Sequence, residues 1–128
     1  MKLIALLAAL VIATASGNES CQPIAWGKIT YYDCSSHCGK ITRSGEPYDP
    51  ASFTIAVDDD LWEEWAGELV RVTNLETGNA LILRVNDTGY LSENGVAGDL
   101  PESVWSLISG RPLSEGVFQG LIERFDQG

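Results

Sequence analysis

Short segments in which apolar and polar residues alternate recur along the sequence, with glycine- or asparagine-containing turns between them. This period of two predicts strands at residues 26–32, 53–57, 69–74, 80–85 and 117–125, with a hairpin turn at residues 76–79. Helical patterns are confined to residues 58–65, with Asp60 as the expected N-cap, and to residues 101–108. Many short strands in about 110 residues indicate a small closed barrel without exposed sheet edges. We expect its core to include Val70, Val72, Leu81, Leu83 and Val85.

The first residues predict export. Met1-Lys2 precedes an apolar run over residues 3–13, and Ala13-Thr14-Ala15 offers small residues for cleavage. We therefore predict a signal peptide at residues 1–15, a loose mature N-terminus at 16–24 and one folded domain at 25–126. An uncleaved membrane anchor is the alternative, although the run is short for a bilayer span. The expected location is secreted, periplasmic or in the cell wall, without membrane contact after cleavage.

Charge and cysteine content narrow the function classes. Eight basic against eighteen acidic residues give a net charge of −10, which argues against binding to nucleic acid or anionic lipid. In an exported chain, the three cysteines Cys21, Cys34 and Cys38 predict one disulfide that includes Cys34 or Cys38, with the pairing left open. A single histidine, His37, argues against a metal site, and we expect no metal and no cofactor.

Three stretches resemble the rare lipoprotein A-like double-psi β-barrel family. They are G-K-I-T-Y-Y at residues 27–32, G-K-I-T-R-S-G-E-P-Y-D-P at 39–50, and the segment at 70–89 that runs from V-R-V-T-N to R-V-N-D-T-G. The resemblance implies an all-β fold, a six-stranded double-psi β-barrel with one or two short helices, and a groove for glycan strands. Relatives include peptidoglycan lytic transglycosylases and the wall-loosening expansins. The sequence departs from the family where Val57 replaces a histidine of some catalytic members, where Thr88-Gly89-Tyr90 follows Asp87, and at Pro101.

The aspartates also resemble a three-aspartate branch of this superfamily, through Asp58, Asp87 and Asp99. In that branch the aspartate matching Asp99 is the proposed general acid. A lytic transglycosylase needs only one carboxylic acid, whose pKa a neighbouring carboxylate or an apolar wall can raise. We therefore take Asp99 and Asp87 as catalytic candidates. As alternatives, Asp87 caps a turn and Asp99 caps the following helix.

Further residues are candidates for substrate binding, because the resemblance places them at the groove or because they could bind or stack on sugars. They are Glu46, Asp49, Tyr48, Tyr32, Asn86, Asp58 and Tyr90. By contrast, Trp62, Trp65 and Trp105 lie on predicted helices and are expected to pack.

Three functions remain open from the sequence. The first is a peptidoglycan lytic transglycosylase, the second a non-catalytic expansin-like polysaccharide binder, and the third a small structural or inhibitor-like secreted protein. The expected partner in the first two cases is peptidoglycan or another wall polysaccharide, and we expect a monomer.

Overall fold

Six strands form one sheet that closes into a barrel in the order β1-β5-β2-β4-β3-β6. The computed structural model describes residues 23–126. The strands are β1 (Pro23–Tyr32), β2 (Thr54–Asp58), β3 (Leu69–Asn74), β4 (Ala80–Gly89), β5 (Val96–Pro101) and β6 (Phe118–Arg124). Strand β1 runs parallel to β5 and β2 runs parallel to β4, whereas the other four pairings are antiparallel. The predicted all-β, six-stranded barrel is confirmed.

Helix contributes little. The α-helices are α1 (Cys34–His37), α2 (Trp62–Trp65) and α3 (Glu102–Ser109), and short 3₁₀ turns occur at Asp59–Leu61, Ser92–Asn94 and Leu113–Glu115. Among residues 23–126, none of these helices has the length and apolar character needed to cross a membrane. A disulfide joins Cys34 to Cys38 around α1, which confirms a bridge at these cysteines. Cys21 and the predicted signal peptide lie outside the described residues.

The barrel interior is apolar and closely filled. Val70, Val72, Leu83 and Val85 are completely buried, as the alternation predicts, whereas Leu81 is only partly buried at the margin of the core. Gly98 and Gly120 provide room for isoleucine side chains, because a Cβ at either position would collide with them. Trp105 on α3 packs against this core, and its indole N–H donates a hydrogen bond to the Ile29 carbonyl at 3.0 Å.

Several sequence-based boundaries are wrong for identifiable reasons. No strand was predicted between residues 85 and 117, yet β4 continues to Gly89 and β5 begins at Val96. Asp58 caps the 3₁₀ turn that precedes α2, and its side chain accepts from the Asp60 amide at 3.3 Å, so the expected cap at Asp60 is incorrect. The short helix α1 begins at Cys34, where no helix was predicted, and Asp33 caps it.

Candidate functional site

A row of four side chains crosses the outer surface of the barrel. Thr30 pairs with Asp99, Asp99 with Ala56, and Ala56 with Asp87, on strands β1, β5, β2 and β4. Residues paired directly across strands point to the same face of the sheet. The carboxyl groups of Asp87 and Asp99 therefore flank the small Ala56, and their Cα atoms are about 10 Å apart, which is two strand spacings. We call these four residues the carboxylate row.

The carboxyl group of Asp99 has a shifted pKa. It is partly buried within β5 and accepts a hydrogen bond from the Thr30 hydroxyl at 2.8 Å. Burial raises the pKa of Asp99 to about 6, and the charge of Asp87 adds to this effect. The Thr30 hydrogen bond and the nearby His37 act in the opposite direction. Asp99 can therefore exchange a proton in the mildly acidic range, unlike an ordinary surface aspartate.

Asp87 reaches the row through an irregularity in β4. The register between β2 and β4 shifts so that Ile55 pairs with Val85 and Ala56 with Asp87, which leaves Asn86 as an extra residue. One carboxylate oxygen of Asp87 accepts the backbone N–H groups of Arg43 at 3.0 Å and of Thr88 at 2.9 Å. These bonds fix the orientation of the carboxylate while it faces the row.

The two capping alternatives have different outcomes. Asp99 does not cap α3, because Asp99 lies inside β5 and the N-cap residue of α3 is Pro101. Asp87 does bind backbone amides, as the capping alternative proposed, but it does so from a strand that also places it in the row.

Tyr32 places a buried hydroxyl beside the two carboxylates. Within the described part of the chain, this oxygen makes no hydrogen bond of normal geometry. Burial is the main cause that raises the pKa of Tyr32, and the charges of Asp87 and Asp99 raise it further. The phenol therefore stays a neutral O–H donor, available to a carboxylate or to a bound ligand.

A loop from residue 38 to residue 53 forms one wall beside the row. Tyr48 anchors it, since the Tyr48 hydroxyl donates to the Tyr32 carbonyl and accepts the Glu102 amide at 3.3 Å. Burial raises the pKa of Tyr48 to about 12. The Ser44 amide also bonds to the Asn86 carbonyl at 3.0 Å, which ties the loop to β4.

Glu46 holds the same wall through an ion pair. Arg84 on β4 donates to both carboxylate oxygens, at 2.9 and 2.8 Å, and the Asn86 amide donates at 3.2 Å. These hydrogen bonds lower the pKa of Glu46 to about 2, and those from Arg84 have the largest effect. Asp49 accepts the Ala51 amide at 2.9 Å, and together with Glu46, Tyr48 and Asn86 it lines a cavity of about 530 Å³. The geometry gives Glu46 and Tyr48 clear roles in holding the loop.

The helix α1 brings His37 to the site. Its ring lies edge-on to Tyr32, with centroids 5.1 Å apart, and 5.9 Å from the ring of Tyr48. His37 Nδ1 contacts the Asp33 carbonyl oxygen at 3.0 Å, and a carbonyl can only accept, so Nδ1 carries the hydrogen. In the neutral ring the Nε2 lone pair is then available as an acceptor.

The remaining candidates lie at the margins. The Asp58 carboxylate accepts hydrogen bonds from the amides of Leu91 and Ser92, at 3.0 and 2.8 Å. These bonds lower the pKa of Asp58, and the one from Ser92 has the largest effect. Tyr90 is 73% exposed. As expected, Trp65 and Trp105 are buried, and Trp62 packs against the core.

Sequence reasoning missed Thr30, Ala56, His37 and Arg84 as members of the site. Thr30 and Ala56 become neighbours of the carboxylates only through strand register. The alternation of β1 was the available signal for Thr30, because it places Thr30 on the same face as Tyr32.

Comparison with known proteins finds solved structures with a similar fold. The sequence matches no protein-family model and no curated protein. Among solved structures, it is similar to the Streptomyces papain inhibitor, with 24% identity and a TM-score of 0.58 over 78% of this chain and 91% of the inhibitor. It is also similar to an expansin of Clavibacter michiganensis, with 19% identity and a TM-score of 0.61 over 80% of this chain. The match spans 50% of that expansin.

These likenesses define the class of the fold. The chain has a six-stranded barrel of the double-psi type found in expansins. At such identities the likeness concerns the fold alone. The fold and the Cys34–Cys38 bridge are consistent with an extracellular protein.

Proposed function

We propose that the protein acts outside the cell on a β-1,4-linked wall glycan, as a lytic transglycosylase with Asp99 as the acid. The observation that carries this proposal is Asp99 itself, a partly buried carboxyl group with a pKa of about 6 in a row on the barrel surface. A general acid works best when its pKa lies near the working pH, because it is then protonated and still acidic.

The reaction needs one proton to move out and one to return. Protonated Asp99 donates its proton to the glycosidic oxygen, and the bond from that oxygen to the anomeric carbon breaks. The 6-hydroxyl of the same sugar then attacks the anomeric carbon, which closes a 1,6-anhydro ring, and its proton returns to the Asp99 carboxylate. No water is consumed. Asp87, across Ala56, supplies negative charge that stabilises the positive charge developing on the sugar ring.

The rare lipoprotein A-like motifs support this assignment, and so does the expansin likeness, which favours a wall polysaccharide as ligand. Val57, in place of the histidine of some catalytic relatives, and the changed residues after Asp87 favour a second candidate, an expansin-like protein that binds the glycan without cleaving it. The likeness to the Streptomyces papain inhibitor, which extends over 91% of that chain, favours a third candidate, a binder of a protease.

Digestion of purified peptidoglycan by the mature protein tests the three candidates together. Mass spectrometry of the soluble products should reveal anhydro-muropeptides, and the Asp99→Asn variant should release none. Glu64→Gln, which removes an exposed carboxylate on α2 outside the row, is the matched control and should retain activity. Products with reducing ends would indicate a hydrolase. Glycan that is bound but unchanged would favour the expansin-like candidate, and inhibition of papain without glycan binding would favour the inhibitor-like one.

A further inference from the structure

A second cavity, of about 490 Å³, opens on the barrel surface beside the carboxylate row. Its lining includes Trp26 on β1, Asp58 at the end of β2, Asp60, and Ala97 near the start of β5. Asp58 follows Ala56 by two residues along β2, and Ala97 precedes Asp99 by two along β5. At about 3.3 Å per strand residue, the cavity therefore begins roughly 7 Å from the row.

Trp26 is the unusual residue of this cavity. It is 72% exposed, whereas Trp65 and Trp105 are buried and Trp62 packs against the core. An indole is among the largest apolar surfaces a protein can present to water, and it does not stabilise this barrel from an exposed position. A cavity lined by apolar and aromatic side chains together with a few polar groups is the usual form of a ligand site.

The polar groups around Trp26 indicate what it binds. Asp58 remains negative because three backbone amides bind its carboxylate, and the exposed Asp60 adds a second carboxylate to the lining. These two charges outweigh the ammonium of Lys28, which lies near Gly95 at the rim. Acidic ligands are therefore disfavoured. Groups that donate hydrogen bonds are favoured, since a carboxylate only accepts, and a wall glycan offers such donors as hydroxyl and amide groups.

We infer that the Trp26 cavity is a sugar-binding subsite that extends the glycan groove, and that its occupant is an uncharged sugar unit of a β-1,4-linked chain. The C–H face of such a sugar stacks on the indole, and its hydroxyl groups donate to the carboxylates. A chain that also crosses the carboxylate row would follow β1 from Thr30 back to Trp26, which is about 13 Å of strand. This inference rests on the proposed glycan function and specifies the chemistry of the ligand.

The subsite predicts that affinity depends on chain length. N-acetylglucosamine oligomers from dimer to hexamer would be titrated into the protein, with the Trp26 indole N–H signal followed by NMR. Long oligomers should bind more tightly than short ones and should shift that signal. Trp26→Ala should weaken binding of the hexamer about tenfold and leave the dimer little changed, and Trp26→Tyr should restore most of the loss. Leu107→Ala, which removes a comparably exposed apolar side chain from α3, is the control and should bind as the wild type does.

Equal hexamer affinity of wild type and Trp26→Ala would overturn the inference, as would a Trp26 effect seen only with a papain-family protease. The outcomes also separate this inference from the proposed reaction. If the oligomers bind through Trp26 but wall glycan is not cleaved, the subsite stands and the catalytic proposal fails. If Asp99-dependent cleavage occurs but no oligomer affects the Trp26 signal, the reaction stands and the subsite fails.

Discussion

Replacing Asp99 by Asn should stabilise the fold at neutral pH. An aspartate in the unfolded chain has a pKa of about 3.9, whereas that of Asp99 in the folded state is about 6. Ionisation is therefore less favourable in the folded state, by about 3 kcal/mol for a difference of about two pKa units. Asn carries no charge, and its side-chain oxygen can still accept the Thr30 hydrogen bond.

Because the pKa of Asp99 is raised in the folded state, the stability cost of its ionisation depends on pH. Below about pH 4 the carboxyl group is protonated in both states, so Asp99 imposes no ionic cost on folding. Between about pH 4 and pH 6 the unfolded chain ionises first, and the folded state loses stability. Above about pH 6 the cost is complete. The gain from Asp99→Asn should therefore be near zero at pH 4 and approach about 3 kcal/mol at neutral pH.

Urea unfolding of the wild type and Asp99→Asn at about pH 4 and about pH 7.5 measures this difference directly. Asp60→Asn is the control, because Asp60 is exposed and its loss should not produce the same increase with pH. A variant less stable than the wild type at neutral pH, or a gain of equal size at both pH values, would refute the argument that burial is what perturbs Asp99.

Three further predictions concern the barrel and the site. Leu83→Ala should lower the free energy of unfolding by about 2–5 kcal/mol, because Leu83 is completely buried, and a loss below 1 kcal/mol by urea unfolding would contradict that burial. Gly120→Ala should destabilise by about 1–3 kcal/mol in the same assay, because the new methyl group meets Ile29, and a neutral effect would mean that Ile29 moves aside freely. His37→Gln should raise the pKa of Asp99, because the imidazolium charge lowers it, and carbon NMR of the Asp99 carboxyl group would detect the change. An unchanged titration midpoint of Asp99 would mean that the His37 charge does not affect this carboxyl group.

Local patterns accounted for the strands that alternate regularly. The strand at residues 69–74 and the start of its hairpin partner at Ala80 were correct, because both strands alternate and only the five residues 75–79 connect them. Strand β5 was missed because its two partners, β1 and β2, are distant in sequence and it contains Gly98. Its pairings are visible only in the closed barrel. For the same reason, the first residues of β5 were not predicted to form a strand.

The site was partly accessible from the sequence. Asp87 and Asp99 were found through motif resemblance, but their relation to each other depends on Ala56, to which no motif pointed. Ala56 pairs with Asp99 on one side and Asp87 on the other, so one strand register sets the spacing of the two carboxyl groups. The perturbation of Asp99 also depends on burial by neighbouring elements, which sequence spacing does not report.

The energetics of Asp99 bear on the choice between cleaving and binding a glycan. A protein that only binds sugar can use an exposed carboxylate as an acceptor, without any cost to its stability. Here the carboxyl group is partly buried and near a second carboxylate, so its ionisation at neutral pH opposes folding. Such destabilising arrangements persist where function depends on them, and proton donation is a function that needs a raised pKa. This cost to stability supports the proposal that Asp99 is an acid, because sugar binding alone does not require a raised pKa.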